Sequence, residues 1–177
     1  MDALELTEED VSTESGFYAA CEKVKNSGYQ VDGQSVLPVV LQCNIWITGS
    51  LDSIVAWNFG VVPVDADGNY RHNELHPGYK NALKFLNNLV QNGYLDVNTL
   101  TIDETALKTY LDAKRVFCWI GNQAQQDKTN MPWVSYGPSL ADNGAKPAMP
   151  VNQSAGLGWI QTLVSKDCKN PEKIAAL

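Results

Sequence analysis

The chain has 177 residues, 44% of them hydrophobic and 19% charged, with a formal net charge of −7. That length supports one domain with a sizeable core, and the composition excludes a disordered chain. An acidic balance without a basic stripe excludes a nucleic-acid partner, and no apolar run approaches the roughly 18 residues of a membrane span.

Residues 1–12 are acidic. Met1 is followed by Asp2, Glu5, Glu8, Glu9 and Asp10, which is not the pattern of an export signal. Ser12 or Thr13 can cap a first helix that carries Phe17, Ala20, Cys21 and Val24 on one side and ends at Gly28. Residues 29–34 read as a polar turn. Residues 35–42, SVLPVVLQ, read as a short apolar strand. Pro38 lacks a ladder donor and belongs near the start of that strand or at an edge. Asn44, Trp46 and Thr48 follow it. Ser50 can cap a helix over residues 51–59 that carries Trp57 and Asn58 and stops at Gly60. Residues 61–73 read as a β-hairpin turning at Asp67-Gly68.

Pro77 suits a first helical position. Tyr79, Leu83, Leu86, Leu89 and Val90 follow steps of three and four, one apolar face of a helix that Gly93 ends. Thr101 and Glu104 have capping-box spacing for the next helix, with Leu107, Tyr110 and Leu111 as its buried stripe. Residues 115–120, RVFCWI, lie between a charged turn and Gly121-Asn122 and read as the central strand. Residues 133–136 and 156–165 are further strand-like runs, separated by a loop rich in Pro, Gly and Asn. Asn170-Pro171-Glu172 is a helix start, and the chain stops about two turns into that helix. Both ends lead us to expect a piece of a longer protein.

The residues that could carry chemistry are aromatic platforms and amides. Sugars stack their C–H faces on Trp and Tyr while amides bind their rims. Trp46 beside Asn44, Trp57, and Trp159 in a glycine-rich approach are the candidate platforms. Asn122 and Gln123, beyond the central strand, are the candidate amides. Trp119, within that strand, reads as core. Asp65, Asp67 and Asn69 open like a calcium loop, but glycine stands fourth and His76 twelfth, so a hairpin turn is the reading. His72 and His76 have no third ligand nearby and read as solvated; no metal or cofactor is expected. Asp52, Asp65, Asp96, Asp103 and Asp112 sit in turns or at helix starts, where capping explains acids. No serine-hydrolase elbow, phosphate loop or Cys–His pairing is present. Cys21, Cys43, Cys118 and Cys168 form no C-x-x-C pair. Cys21 and Cys118 read as small core residues; pairing of Cys43 with Cys168 stays open.

The order of parts carries a resemblance. An amphipathic helix ending in Gly93-Tyr-Leu-Asp96, a capped second helix, a lysine turn, an apolar strand and Gly121-Asn122 resemble the second lobe of extracellular solute-binding proteins of ABC importers. The sugar-binding type that includes maltose-binding protein, and its Gram-positive lipoprotein members, are the nearest likeness. Ala56-Trp-Asn-Phe-Gly60 and Leu163-Val-Ser-Lys-Asp-Cys-Lys-Asn-Pro-Glu172 match too, so the resemblance spans about residue 37 to the end. The departure is Gln123-Ala-Gln125, which has no aromatic where maltose-binding protein has a stacking tryptophan.

The resemblance implies an α/β fold, a mixed sheet flanked by helices, as one lobe of a periplasmic-binding-protein-like type II fold over residues 1–177. Residues 133–165 would include strands crossing between lobes. It implies a monomeric, non-enzymatic carbohydrate-binding component with Asn44, Trp46, Trp57, Asn122, Gln123 and Trp159 at the ligand. That protein would be extracellular, held at the membrane by an anchor outside these residues, and would deliver an oligosaccharide to an ABC permease. The alternatives are a carbohydrate-active hydrolase domain and a non-catalytic cell-surface interaction domain.

Overall fold

The computed structural model describes residues 2–41, 55–65, 67–120, 139–148 and 168–169. Helix α1 spans Glu14–Asn26. Thr13, not Ser12, is its cap: the Thr13 side chain accepts from Gly16 N, and Phe17, Ala20, Cys21 and Val24 are buried as expected. The next residues form strands, not only a polar turn. β1 (Gln30–Val31) pairs antiparallel with β2 (Gln34–Ser35). Asp32 and Gly33 between them both have positive φ, which is the backbone of a type I′ hairpin turn.

β3 spans Leu37–Leu41 and β4 spans Val116–Ile120; they pair in parallel, with Leu37 opposite Val116 and Leu41 opposite Ile120. Pro38 is the second residue of β3, where its missing donor costs little. Val39 also bridges Leu95, with its N–H donating to the Tyr94 carbonyl at 3.0 Å. Among the described residues, then, it is β3 and not β4 that has neighbours on both sides.

The helices cover both faces of this pair. Val39 and Leu41 join the larger core with α1 and with helix α3, Tyr79–Gln91. Val40 points the other way, into a smaller cluster with Leu107 and Leu111 of α4, Glu104–Asp112. The alternation follows from the two-residue period of a strand. Helices with one parallel and one antiparallel pair of strands among the described residues are compatible with the α/β class.

Three helix positions differ from the sequence reading. In α3 the buried face is Ala82, Phe85, Leu86 and Leu89, and Leu83 is 49% exposed. Phe85 is the hub of that face, with ring centroids 5.9 Å from Phe17, 5.5 Å from Tyr18 and 5.9 Å from Phe59. Pro77 lies in the turn before α3, with Gly78 as the cap residue. In α4 the cap is Asp103, whose carboxylate accepts from Ala106 N at 2.8 Å; Thr101 ends the preceding 3-10 turn (Val97–Leu100) instead.

The ends of α3 and α4 follow one pattern. After α3, Gly93 N donates to Val90 O and Tyr94 N to Leu89 O, with Gly93 at φ +65. This is the Schellman arrangement. After α4 the same two bonds run from Lys114 N to Leu111 O and from Arg115 N to Tyr110 O, but here Lys114 takes the positive φ, 55°.

Leu86→Ala should cost about 2–5 kcal/mol, while Leu83→Ala should stay within about 0.5 kcal/mol, both read by urea unfolding. Equal losses would mean that the apolar face is drawn wrongly. Lys114→Gly should stabilise by up to about 1 kcal/mol, because glycine takes a left-handed position without the Cβ clash; a loss of stability would show that the lysine side chain contributes more than its backbone strain costs.

Candidate functional site

A parallel pair sends both strands out of the same edge of a sheet. Since Leu41 sits opposite Ile120, the chain leaves β3 and β4 side by side. The segment holding Asn44 and Trp46 begins there, and so does the one holding Asn122 and Gln123. In parallel sheets this carboxyl edge is where ligands gather. Asn44, Trp46, Asn122, Gln123 and Trp159 themselves lie outside the described residues, as does Asp52.

Trp57 is described. It lies on α2, the single helical turn Ala56–Asn58, and is half-buried. The turn is wedged into the core: Val55, Ala56, Phe59 and Val61 are all buried. Gly60 N donates to Trp57 O and Val61 N to Ala56 O, a second glycine-closed Schellman end, with Gly60 at φ +74. The expected stop at Gly60 is thus where the helix ends. Asn58, next to Trp57, is half-buried too, and no hydrogen bond engages its side-chain amide among the described residues. The sequence reading placed Asn58 on this helix without assigning it a ligand role; the signal was its position next to a tryptophan.

Trp119 packs in the smaller cluster beside Tyr110, in keeping with a core role. Its indole nitrogen is buried, with no hydrogen-bond partner among the described residues. Arg115 lies over the Tyr110 ring, with its guanidinium carbon 5.6 Å from the centroid.

The acidic side chains have local employment. The Asp65 carboxylate accepts from Asn69 N at 2.8 Å and Asp67 N at 3.0 Å, which holds it below the ordinary carboxylate range and shapes the hairpin. That hairpin closes with Val64 opposite Tyr70 and Gly68 at φ +83; its far end differs from expectation, because Asn73–Leu75 is a 3-10 turn. Asp96 accepts from Asn98 N, Asp103 caps α4, and Asp112 pairs with Lys108 on the exposed face of α4. His76 Nδ1 accepts from Gly78 N at 3.0 Å, and His72 packs edge-on against Tyr70. Among the described residues no group of His, Cys, Asp and Glu could hold a metal ion.

Cys21 and Cys118 are buried in the larger core, as expected, and Cys168 is a half-buried thiol. Cys43 lies outside the described residues. Burial pushes the Cys21 thiol well above its ordinary 9.0, because a thiolate there would lose its hydration.

Neither a scan against protein-family models nor a search of curated proteins found a match.

The Cys21 shift fixes a sign. The folded chain keeps this proton when the unfolded chain releases it, so the associated stability is complete below pH 9 and declines above it. Tyr18, raised to about 12 chiefly by burial, acts in the same direction from pH 10 upward. Urea midpoints should therefore fall as pH rises past 9. Iodoacetamide at pH 8 followed by peptide mapping should label Cys168 in the native chain and Cys21 only in urea; native labelling of Cys21 would contradict its burial.

Proposed function

We propose that this chain is one lobe of a two-lobed solute-binding protein of the sugar-binding ABC-importer type, with a type II fold. The parent protein would be extracellular and membrane-anchored. It would close on an oligosaccharide and present it to a permease, without bond-making. One observation supports the reading above the others: Leu41 stands opposite Ile120, so the Asn44–Trp46 and Asn122–Gln123 segments leave one sheet edge together. Amides both donate to and accept from sugar hydroxyls, and tryptophan supplies a stacking face. Of the described carboxylates considered for acid–base work, Asp65, Asp96 and Asp103 are turn and cap acceptors and Asp112 pairs with Lys108.

A lobe alone offers part of a shared site, open to solvent. Each lost decade of affinity is about 1.4 kcal/mol, so loss of a few contacts leaves a dissociation constant on the order of 1 mM. An NMR titration of the chain with maltotriose, cellotriose and xylotriose should show fast-exchange shifts in the residues that follow β3 and β4. Trp46→Ala should weaken binding more than tenfold at little cost in stability. A stability loss of about 3–5 kcal/mol with affinity retained would make Trp46 a core residue instead. No shift with any of the three sugars at tenfold that concentration would reject the reading, and cleaved sugar in the same tubes would make the chain a hydrolase.

A further inference from the structure

The sequence holds four acidic or amide residues that stand directly before a glycine: Asp32–Gly33, Asp67–Gly68, Asn92–Gly93 and Asn143–Gly144. In each pair the side-chain carbonyl carbon and the glycine nitrogen are joined by a few covalent bonds, so they can close a succinimide ring without help from the fold. The absent Cβ leaves the glycine nitrogen unhindered. The backbone separates the four pairs. Gly68 N donates to Asp65 O at 3.0 Å, Gly93 N to Val90 O at 2.9 Å and Gly144 N to Ala141 O at 3.0 Å. Each of these glycines is the fourth residue of its turn, whose N–H closes the turn. Ring closure there must first break that bond. Both asparagine side chains are engaged too: Asn92 Nδ2 donates to Asn88 O at 2.8 Å, and Asn143 Oδ1 accepts from Ala145 N at 2.9 Å. Gly33 stands third in its turn, between the paired Val31 and Gln34, and its N–H has no acceptor among the described residues.

Asp32 and Gly33 are both exposed, and a Cβ on Gly33 would meet nothing within 4 Å, so water and a closing ring have room. Asp32 has φ 51°, a conformation that strains an L-residue and suits its mirror image. We propose that Asp32–Gly33 is a modification site at which the folded chain rearranges itself through a succinimide, with D-aspartate as the favoured product. The Gly33 nitrogen attacks the protonated Asp32 carboxyl carbon. The C–N bond forms, the C–OH bond breaks, and the amide proton leaves with the hydroxyl as water. The imide acidifies the Cα proton, so the centre loses and regains it on either side. Water then opens the ring. Attack at the side-chain carbonyl restores aspartate, in the L or the D form. Attack at the main-chain carbonyl gives isoaspartate, with the chain running through Cβ. D-Aspartate keeps the loop length and takes a positive φ without the Cβ clash, as D-residues do in type I′ turns. Isoaspartate adds a backbone atom between Val31 and Gln34, which the tight loop does not accommodate.

Ageing the chain at pH 6, native and in guanidinium chloride, tests this, whatever the chain binds. Peptide mapping with fragmentation that distinguishes isoaspartate, and chiral analysis of the aspartate in each peptide, give the readout. In the native chain Asp32 should rearrange faster than Asp67 by up to about tenfold, the worth of the backbone hydrogen bond that Gly68 must break first. Asn92 and Asn143 should lag behind Asp32. In guanidinium chloride the two aspartates should become alike and the asparagines should lead, since an amide closes the ring without prior protonation and releases ammonia. The ratio of D-aspartate to isoaspartate at residue 32 should be higher in the native chain than in the denatured one. Asp32→Glu, whose longer side chain cannot close the same ring, should abolish the signal at that position. Equal native rates at Asp32 and Asp67, an asparagine leading in the native chain, or a product ratio unchanged by denaturant would each overturn the proposal.

Discussion

The parallel pairing of β3 with β4 is the constraint on which the rest depends. Parallel strands cannot be joined by a tight turn, so the chain between them must cross over and bring its helices along. α2, the 61–72 hairpin, α3 and α4 are all parts of that excursion. Because β3 is buried on both faces, each helix has an apolar surface to meet: α1 and α3 at Val39 and Leu41, α4 at Val40. The same pairing brings two strand ends to one edge. The course of the described chain thus follows from a single register.

The excursion is held in place by its ends as much as by its faces. Three helices finish in the same pair of backbone bonds, which use carbonyls that would otherwise lack donors. After α3 the glycine has a second use. With no Cβ at Gly93, the Lys25 ammonium reaches the Asn92 carbonyl at 2.8 Å and lies 5.9 Å from the centre of the Tyr94 ring. A cation there complements the negative end of the α3 dipole and ties α1 to α3 outside their shared core.

Much of this was legible in the sequence because it is local. Periodicity located α1, α3 and α4, and glycine marked the ends of α2 and α3. Where choices were degenerate, the sequence reading erred. On α3 the stripe could run through Ala82 or Leu83; the larger side chain invites selection, yet the helix turns so that Phe85 meets Phe17, Tyr18 and Phe59. That preference is set by aromatic partners far away in sequence. At α4, Thr101 and Asp103 both have capping side chains, and the preceding 3-10 turn decides for Asp103. The Asp32-Gly33 hairpin was passed over because its strands are two residues each, too short to show a period of two. Residues 139–148 were illegible for another reason: they are bonded to Ser12, Glu14, Ser15 and Trp57, all far away in sequence.

What remains for recognition is set by where the charges go. The chain is strongly acidic, yet several of its described acids serve the backbone: Asp65, Asp96 and Asp103 accept from amide N–H groups, and Asp142 accepts from Ser15 N. A carboxylate that shapes a turn cannot leave it to polarise a ligand without unmaking the turn. Beside the core, the half-buried Trp57 and Asn58 are neutral. Neutral amides and indoles recognise shape and hydroxyl pattern, with no charge to attract a distant ligand and none to develop in a transition state. That local use of the carboxylates is what the proposed binding of an uncharged, hydroxyl-bearing molecule asks of these residues.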